Sequence, residues 1–356
     1  MTHPRRPFRR SRPARLLGWR RRARGAAVVT ALLMVTLAVV VVSGMLWRQQ
    51  VQIRAIENQR LLAQATWIER AAVDWARLIL RDDQRRSNVD ELGEPWAVPI
   101  AETRLSDFLG ASLRTDVAGE TSFLSGRILD AQARLNLANL VTWSATGGQG
   151  APVGRVANID QSALAAYGRL LRTVGLNPAL AETTARYMLQ AAQGGEGGGE
   201  ASGRQAPRPL DSVQGLLSVP GYTPEMVAVL EPFVIVLPER TLVNANTADA
   251  EVLAAMIDKL PLERARELVR QRDRAYFNNI GNLQTQLSAV APQAGSGNLG
   301  NLLDVRSHYF LVYGLVRHER ASRLQVSLVY RGEPLGAANT TRVVWIQDAD
   351  RLPDLR

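Results

Sequence analysis

Arg21-Arg22-Ala23-Arg24-Gly25-Ala26-Ala27-Val28-Val29-Thr30 joins a basic segment to an apolar one. From Ala26 to Trp47 there are 22 residues and no acid or base among them. As a helix at about 1.5 Å per residue they reach ~33 Å, enough to cross a hydrocarbon core of ~30 Å. A secretory signal would have a shorter apolar stretch and then a small-residue exit site. Arg48-Gln49-Gln50 follows instead. The order of basic leader, Gly and apolar helix predicts an anchor retained in the product, either uncleaved or cut between Gly25 and Ala26.

The formal charge of +10 invites a nucleic-acid reading, but its location opposes one. Residues 1–25 hold ten Arg and no acid, so the rest has 33 basic against 33 acidic residues. A basic segment before an apolar helix is the positive-inside signal. It predicts a single pass with the N-terminus cytoplasmic. Cysteine is absent, which excludes thiol nucleophiles and thiolate metal sites. Of the three His, His3 lies in the leader, while His308 and His318 read as surface residues rather than a catalytic pair. No serine has a nucleophile-elbow setting. The residues give no sign of an enzyme.

The helical pattern continues past Trp47. No Gly or Pro occurs from Arg48 to Arg81, and Leu61, Ala65, Ile68, Ala72, Trp75 and Ile79 recur at spacings of three and four. Glu69 falls off this stripe. One helix from about Ala26 to about Leu80 is expected, lipid-suited first and sheet-docking later. Asn88–Ile100 reads as a loop. Ser122–Leu140 reads as a β-hairpin with Asp130-Ala131-Gln132 at its turn. From about Val156 to about Leu303 the pattern is helical, with Asp160, Asn177 and Thr247 as helix caps and a Gly-rich loop at 194–203. After His308, Tyr309–Arg317, Arg323–Tyr330 and Thr341–Ile346 read as an antiparallel meander. Strands before and after a helical block imply an α+β fold: a long N-terminal helix on an antiparallel sheet, with a large all-α domain inserted into that sheet. The expected divisions are a leader at 1–25, a transmembrane helix at 26–47, helix and first strands at 48–155, the helical insertion at 156–303 and C-terminal strands at 304–356.

Val243-Asn244-Ala245-Asn246-Thr247-Ala248-Asp249 shares words with helix-hairpin-helix modules, which hold DNA phosphates on backbone N–H groups. Lys259-Leu260-Pro261 follows its helix without a Gly-x-Gly turn, so a scaffold role is the stronger reading. A membrane-anchored DNA receptor is the alternative from another class.

The leader, Gly and apolar helix resemble the start of type IV pilins and type II secretion pseudopilins. Glu94-Pro95-Trp96-Ala97, Arg134-Leu135-Asn136-Leu137-Ala138-Asn139-Leu140, Asn244–Asp249 and Ser307-His308-Tyr309-Phe310, in this order, resemble the large minor pseudopilin, the K type. The resemblance implies cleavage after Gly25 by a prepilin peptidase and N-methylation of Ala26. Most pilin relatives have Glu at the fifth mature position, where it neutralises a neighbour's terminal amine. Here that position is Thr30. The K type lacks this Glu and is thought to cap the filament tip with the I- and J-type minor pseudopilins, above the major pseudopilin. The resemblance therefore implies a periplasmic body on the inner membrane, a role in protein secretion, and no nucleic acid. A type IV pilus minor pilin is the near rival. Calcium enters by family analogy only, with no Asp-x-Asp-x-Asp-Gly loop to hold it.

Overall fold

The computed structural model describes residues 23–105, 107, 122–146, 154–195, 207–295, 299–319, 321–332 and 341–351. The expected leader, up to residue 22, and most of the Gly-rich loop, 196–203, lie outside them. The chain divides between Ala63 and Gln64 into two compact units.

The first unit is the N-terminal part of helix α1 (Ala23–Arg86). The helix has no break near Trp47. Residues 25–60 are exposed throughout, including Met34 at 73% and Trp47 at 72%.

The second unit begins with the rest of α1, residues 64–86. Its sheet has the order β1-β2-β9-β10-β11, every neighbour antiparallel. The strands are β1 (Ile100–Arg104), β2 (Ser122–Asp130), β9 (Tyr309–His318), β10 (Ala321–Arg331) and β11 (Thr341–Asp348). Helix residues Val73, Ala76 and Leu80 pack with Ile128, Phe310, Val312 and Val329, and Ala65 packs with Leu124 and Val316. The buried line thus runs through Val73, Ala76 and Leu80, whereas Trp75 of the expected stripe is only half-buried. A straight helix drifts by about 20° per heptad against a seven-residue repeat, which moves the contact line to neighbouring positions. Glu69 is buried at 2% exposure, against expectation. At the centre of the sheet Gly126 pairs with Gly314. A Cβ on Gly126 would stand 2.4 Å from the Tyr313 carbonyl oxygen, so the close strand approach there requires glycine.

The expected hairpin at Ser122–Leu140 does not form. After β2 a short 3-10 turn, Ala131–Ala133, carries the chain away from the sheet. The next strand, β3 (Leu135–Asn136), pairs in parallel with β6 (Val234–Ile235) instead of returning along β2. The cause is local: the Asp130 carboxylate accepts from Gln132 N at 2.8 Å, which bends the backbone out of the ladder.

Between β2 and β9 lies the helical excursion: α2 (Gln161–Thr173), α3 (Leu180–Gly195), α4 (Pro224–Leu230), α5 (Ala250–Met256), α6 (Leu262–Arg272) and α7 (Ile280–Val290). It is mainly helical. It also holds the antiparallel pair β4 (Val141–Thr146) and β5 (Gly154–Ile159), and the parallel pair β7 (Val243–Asn244) and β8 (Leu303–Asp304), which the residue patterns do not disclose. Asp160 caps α2 by accepting from Ser162 N and Ala163 N, and Gly175 at φ +80° closes its far end. Asn177 accepts from Ala179 N at 3.0 Å before α3. Asp249, not Thr247, occupies the cap position of α5. This region has its own core, centred on Tyr167, Leu170, Leu171, Leu253, Leu268, Phe277 and Leu283.

Candidate functional site

Two places carry the expected site residues or the quoted motifs. The first is the start of α1. Gly25 and Ala26 sit in its opening turns, and nothing lies within 4 Å of where a Gly25 side chain would be. Thr30 turns its hydroxyl onto its own helix, donating to Ala27 O at 3.0 Å and Ala26 O at 3.1 Å. Those bonds spend the hydroxyl locally and leave no charge at this position. Among the described residues, this one helix is long and apolar enough to cross a membrane, with a mean hydropathy of 2.7 in its most apolar window.

The second place is a buried polar junction in the sheet unit. Three motifs that lie far apart in sequence converge there. Asp130, at the end of β2, accepts from Ser307 Oγ and Thr247 Oγ1, each at 2.6 Å, and from Asn244 Nδ2 at 3.0 Å. Asn244 Nδ2 also meets the Asp90 carbonyl oxygen, and Ser307 N donates to Asp90 Oδ2 at 2.7 Å. Arg331, from β10, donates to Asp83 Oδ2 at 2.9 Å and to Asp90, and its guanidinium lies 4.6 Å from the Phe310 ring centre. Trp96 stands edge-on to Phe310 at 5.2 Å, and its indole N–H donates to Glu94 at 2.8 Å. Three of the four motifs therefore meet at a single junction between α1, the sheet and the excursion, while Asn136 and Asn139 of the Arg134–Leu140 motif instead hold the 237–241 segment. Asp83, Asp90 and Arg331 carry no motif and sequence reading missed them, while Asp130 read only as a turn residue. Sparse charges inside apolar strand and helix patterns were the available signal.

Burial governs the electrostatics here. It pushes the Asp83 carboxyl up to about 7, aided by neighbouring Glu94 and opposed by Arg331. Burial pushes Asp130 up to about 6 despite the hydrogen bonds from Ser307 and Thr247. On the sheet-facing side of α1, burial likewise raises Glu69 to about 7, with Arg323 opposing.

Chemistry beyond packing finds little support in this geometry. Carboxylate oxygens of Asp83, Asp90 and Glu94 lie within 4.8 Å of one another. The Arg331 guanidinium already sits on two of these carboxylates, and Trp96 and Glu91 N occupy the third. With Arg331 already neutralising two of the three carboxylates, these residues do not fit calcium. His318 corrects its surface assignment: it is 2% exposed, with Nδ1 2.7 Å from Ser122 Oγ and Nε2 3.1 Å from Gln64 Oε1. His308 is half-buried, its Nδ1 3.1 Å from the Arg331 carbonyl oxygen. The two rings thus serve separate ends of β9. Asn244, Asn246 and Thr247 are all buried and hydrogen-bonded inside the protein, so they present nothing to a DNA phosphate.

An apolar helix of membrane length, whose continuation packs on an antiparallel sheet, defines a membrane-anchored, single-pass, pilin-like subunit, here one with a large helical excursion between neighbouring strands. Sequence models described as type II secretion system protein K match residues 133–239 and 243–306, which together span most of that excursion. The type II secretion system protein K of Pseudomonas aeruginosa is 29% identical over 333 residues, covering 88% of this chain and 90% of that protein. The protein K of Aeromonas hydrophila is 26% identical over 310 residues, 82% of this chain and 87% of its own length. Among solved structures, the GspK-GspI-GspJ complex from enterotoxigenic Escherichia coli contains a chain of the same fold. It gives a TM-score of 0.62 at 20% identity, covering 83% of this chain and 99% of that one. The chain belongs to the type II secretion system protein K family, and is a minor pseudopilin of that system. A DNA receptor and a type IV pilus minor pilin are not favoured.

Proposed function

We propose that this chain is made as a precursor, cut by a prepilin peptidase between Gly25 and Ala26, and N-methylated on Ala26. Its mature form caps the tip of the periplasmic pseudopilus and supports secretion across the outer membrane. The role is structural, not enzymatic. The observation that carries the tip position is Thr30. A subunit inside a filament must offer a carboxylate to the terminal amine above it, because a buried unpaired ammonium is costly. Thr30 offers none, and its hydroxyl is turned onto its own carbonyls. Such a subunit suits a place with no subunit above it.

The structural neighbour was solved in a complex named GspK-GspI-GspJ. By that likeness the partners are the I- and J-type minor pseudopilins, with the major pseudopilin below. The basic leader places the N-terminus in the cytoplasm and the body in the periplasm. On this reading the leader is 1–25 and the membrane helix 26–47, while the insertion is wider than the expected 156–303, since the chain leaves the sheet after Asp130 and rejoins it at Tyr309.

N-terminal sequencing of protein purified from a host with its peptidase tests the reading. The mature chain should begin at methylated Ala26, and Gly25→Val should accumulate the full-length precursor. A chain that still begins at Met1, or one that has lost the whole helix, overturns it.

A further inference from the structure

The polar junction holds more acid than base. Asp83 and Asp90 share the Arg331 guanidinium. Asp130 has only neutral donors: Ser307, Thr247, Asn244 and the Gln132 backbone. Glu94 likewise is held by the Trp96 indole and the Glu91 N–H. Asp83 is 8% exposed, Asp90 2%, Asp130 5% and Arg331 4%. With every group ionised, four negative charges would surround one positive charge in a region nearly closed to water. Buried charge without a counter-charge is expensive, and a carboxyl escapes that cost by taking a proton.

We propose that this junction is an acid-tightened latch that holds the helical excursion, residues 131–308, to the sheet more firmly as the pH falls from about 8 towards about 6. The excursion reaches the junction through Asn244, Thr247 and Ser307, and all three bond Asp130 or Asp90. The charged and titratable groups around it are few. Helix α1 brings Asp83, the 87–94 loop brings Asp90, Glu91 and Glu94, and the sheet brings Asp130 and Arg331. The 304–308 segment carries Asp304, Arg306 and His308, of which His308 contacts the Arg331 carbonyl. The Asn244–Thr247 stretch has no titratable side chain.

Burial raises Asp83 to about 7 and Asp130 to about 6 and shifts Glu94 upward as well. Each carboxyl thus binds its proton more tightly in the closed junction than in water. Opening releases protons, so acid opposes opening. The stabilisation is complete below the ordinary carboxylate range and is lost as the pH rises through about 6 and about 7.

Hydrogen exchange on the full chain in detergent micelles reads the latch directly. The reporters are the Ser307 amide, bonded to Asp90 Oδ2, and the Asp90 amide, bonded to Val305 O. After correction for intrinsic exchange, both should be at least roughly fivefold better protected at pH 6 than at pH 8. Asp83→Asn keeps an acceptor for Arg331 and removes one charge. It should raise protection at pH 8 towards the pH 6 level and shrink the pH dependence. Equal protection at the two pH values in the unmodified chain overturns the latch. So does lower protection in Asp83→Asn at pH 8, which would make Asp83 an ordinary ion-pair partner. Should that variant not fold, the unmodified chain and Asp130→Asn decide by the same readout.

Discussion

Residues 26–47 and residues 64–86 belong to one helix and obey different rules. The first stretch has no charge and is exposed on every side. The second is amphipathic, burying Ala65, Val73, Ala76 and Leu80 against the sheet while Trp67 and Leu78 face out. A helix that is apolar all round must find its partners outside its own chain, in lipid or in other helices. An amphipathic one finds them inside. Helix propensity alone therefore does not distinguish an anchor from a core element; the distribution of charge around the axis does.

Leucines from the two stretches sharpen this contrast most. Leu80 is fully buried, so Leu80→Ala should cost the sheet unit about 2–5 kcal/mol, read from denaturant unfolding in detergent. Leu37 is 62% exposed, and Leu37→Ala should move the same transition by no more than about 0.5 kcal/mol. Equal effects would break the comparison. A smaller effect is expected at Glu69, a carboxyl inside the docked face with Oε1 unpartnered. Because burial raises this group to about 7, its ionised form opposes docking above neutrality. Glu69→Gln should stabilise the unit by roughly 1–2 kcal/mol at pH 8, with the gain shrinking as the pH falls through about 7 and vanishing only below about pH 4. A loss of stability at pH 8 would mean that the Arg323 pairing outweighs burial. The smallest effect belongs to Thr30→Val, which removes two bonds to carbonyls already used by the helix. Helicity by circular dichroism should change by no more than the equivalent of a few tenths of a kcal/mol.

Much of this fold was legible because its signals are local. The charge-free run, the meander after His308 and the caps at Asp160 and Asn177 depend on near neighbours in sequence. Short strands such as β3, β6, β7 and β8 were not legible, since two residues cannot show alternation and their pairing comes from tertiary contact. The false hairpin had the same origin. Asp130 looked like a turn residue, and it does bend the chain, but its carboxylate is engaged by Asn244, Thr247 and Ser307, far along the sequence. The candidate site split in the same way. The Gly25–Ala26 junction stands out in the order of basic, Gly and apolar residues, whereas Thr30 draws attention only through the pilin resemblance. Arg331 could not be read from the sequence, because an arginine at the end of an apolar strand reads as an exposed edge until the three-dimensional neighbours of Asp83 and Asp90 are known.

The pairing of β2 with β9 sets an order of assembly. Asp130 lies opposite Phe310 in the ladder, so the middle of the sheet joins residues separated by the whole helical excursion. That gives the sheet a high contact order, and closing so long a loop is slow unless the intervening chain is already compact. The excursion has a hydrophobic core of its own and can collapse first. Until β9, β10 and β11 join, β2 therefore keeps one edge open, its other edge being paired with β1. A chain truncated before Tyr309 would keep its anchor and much of its helical core but lack the strands that complete the sheet, and would present β2 as an edge prone to pairing with other chains.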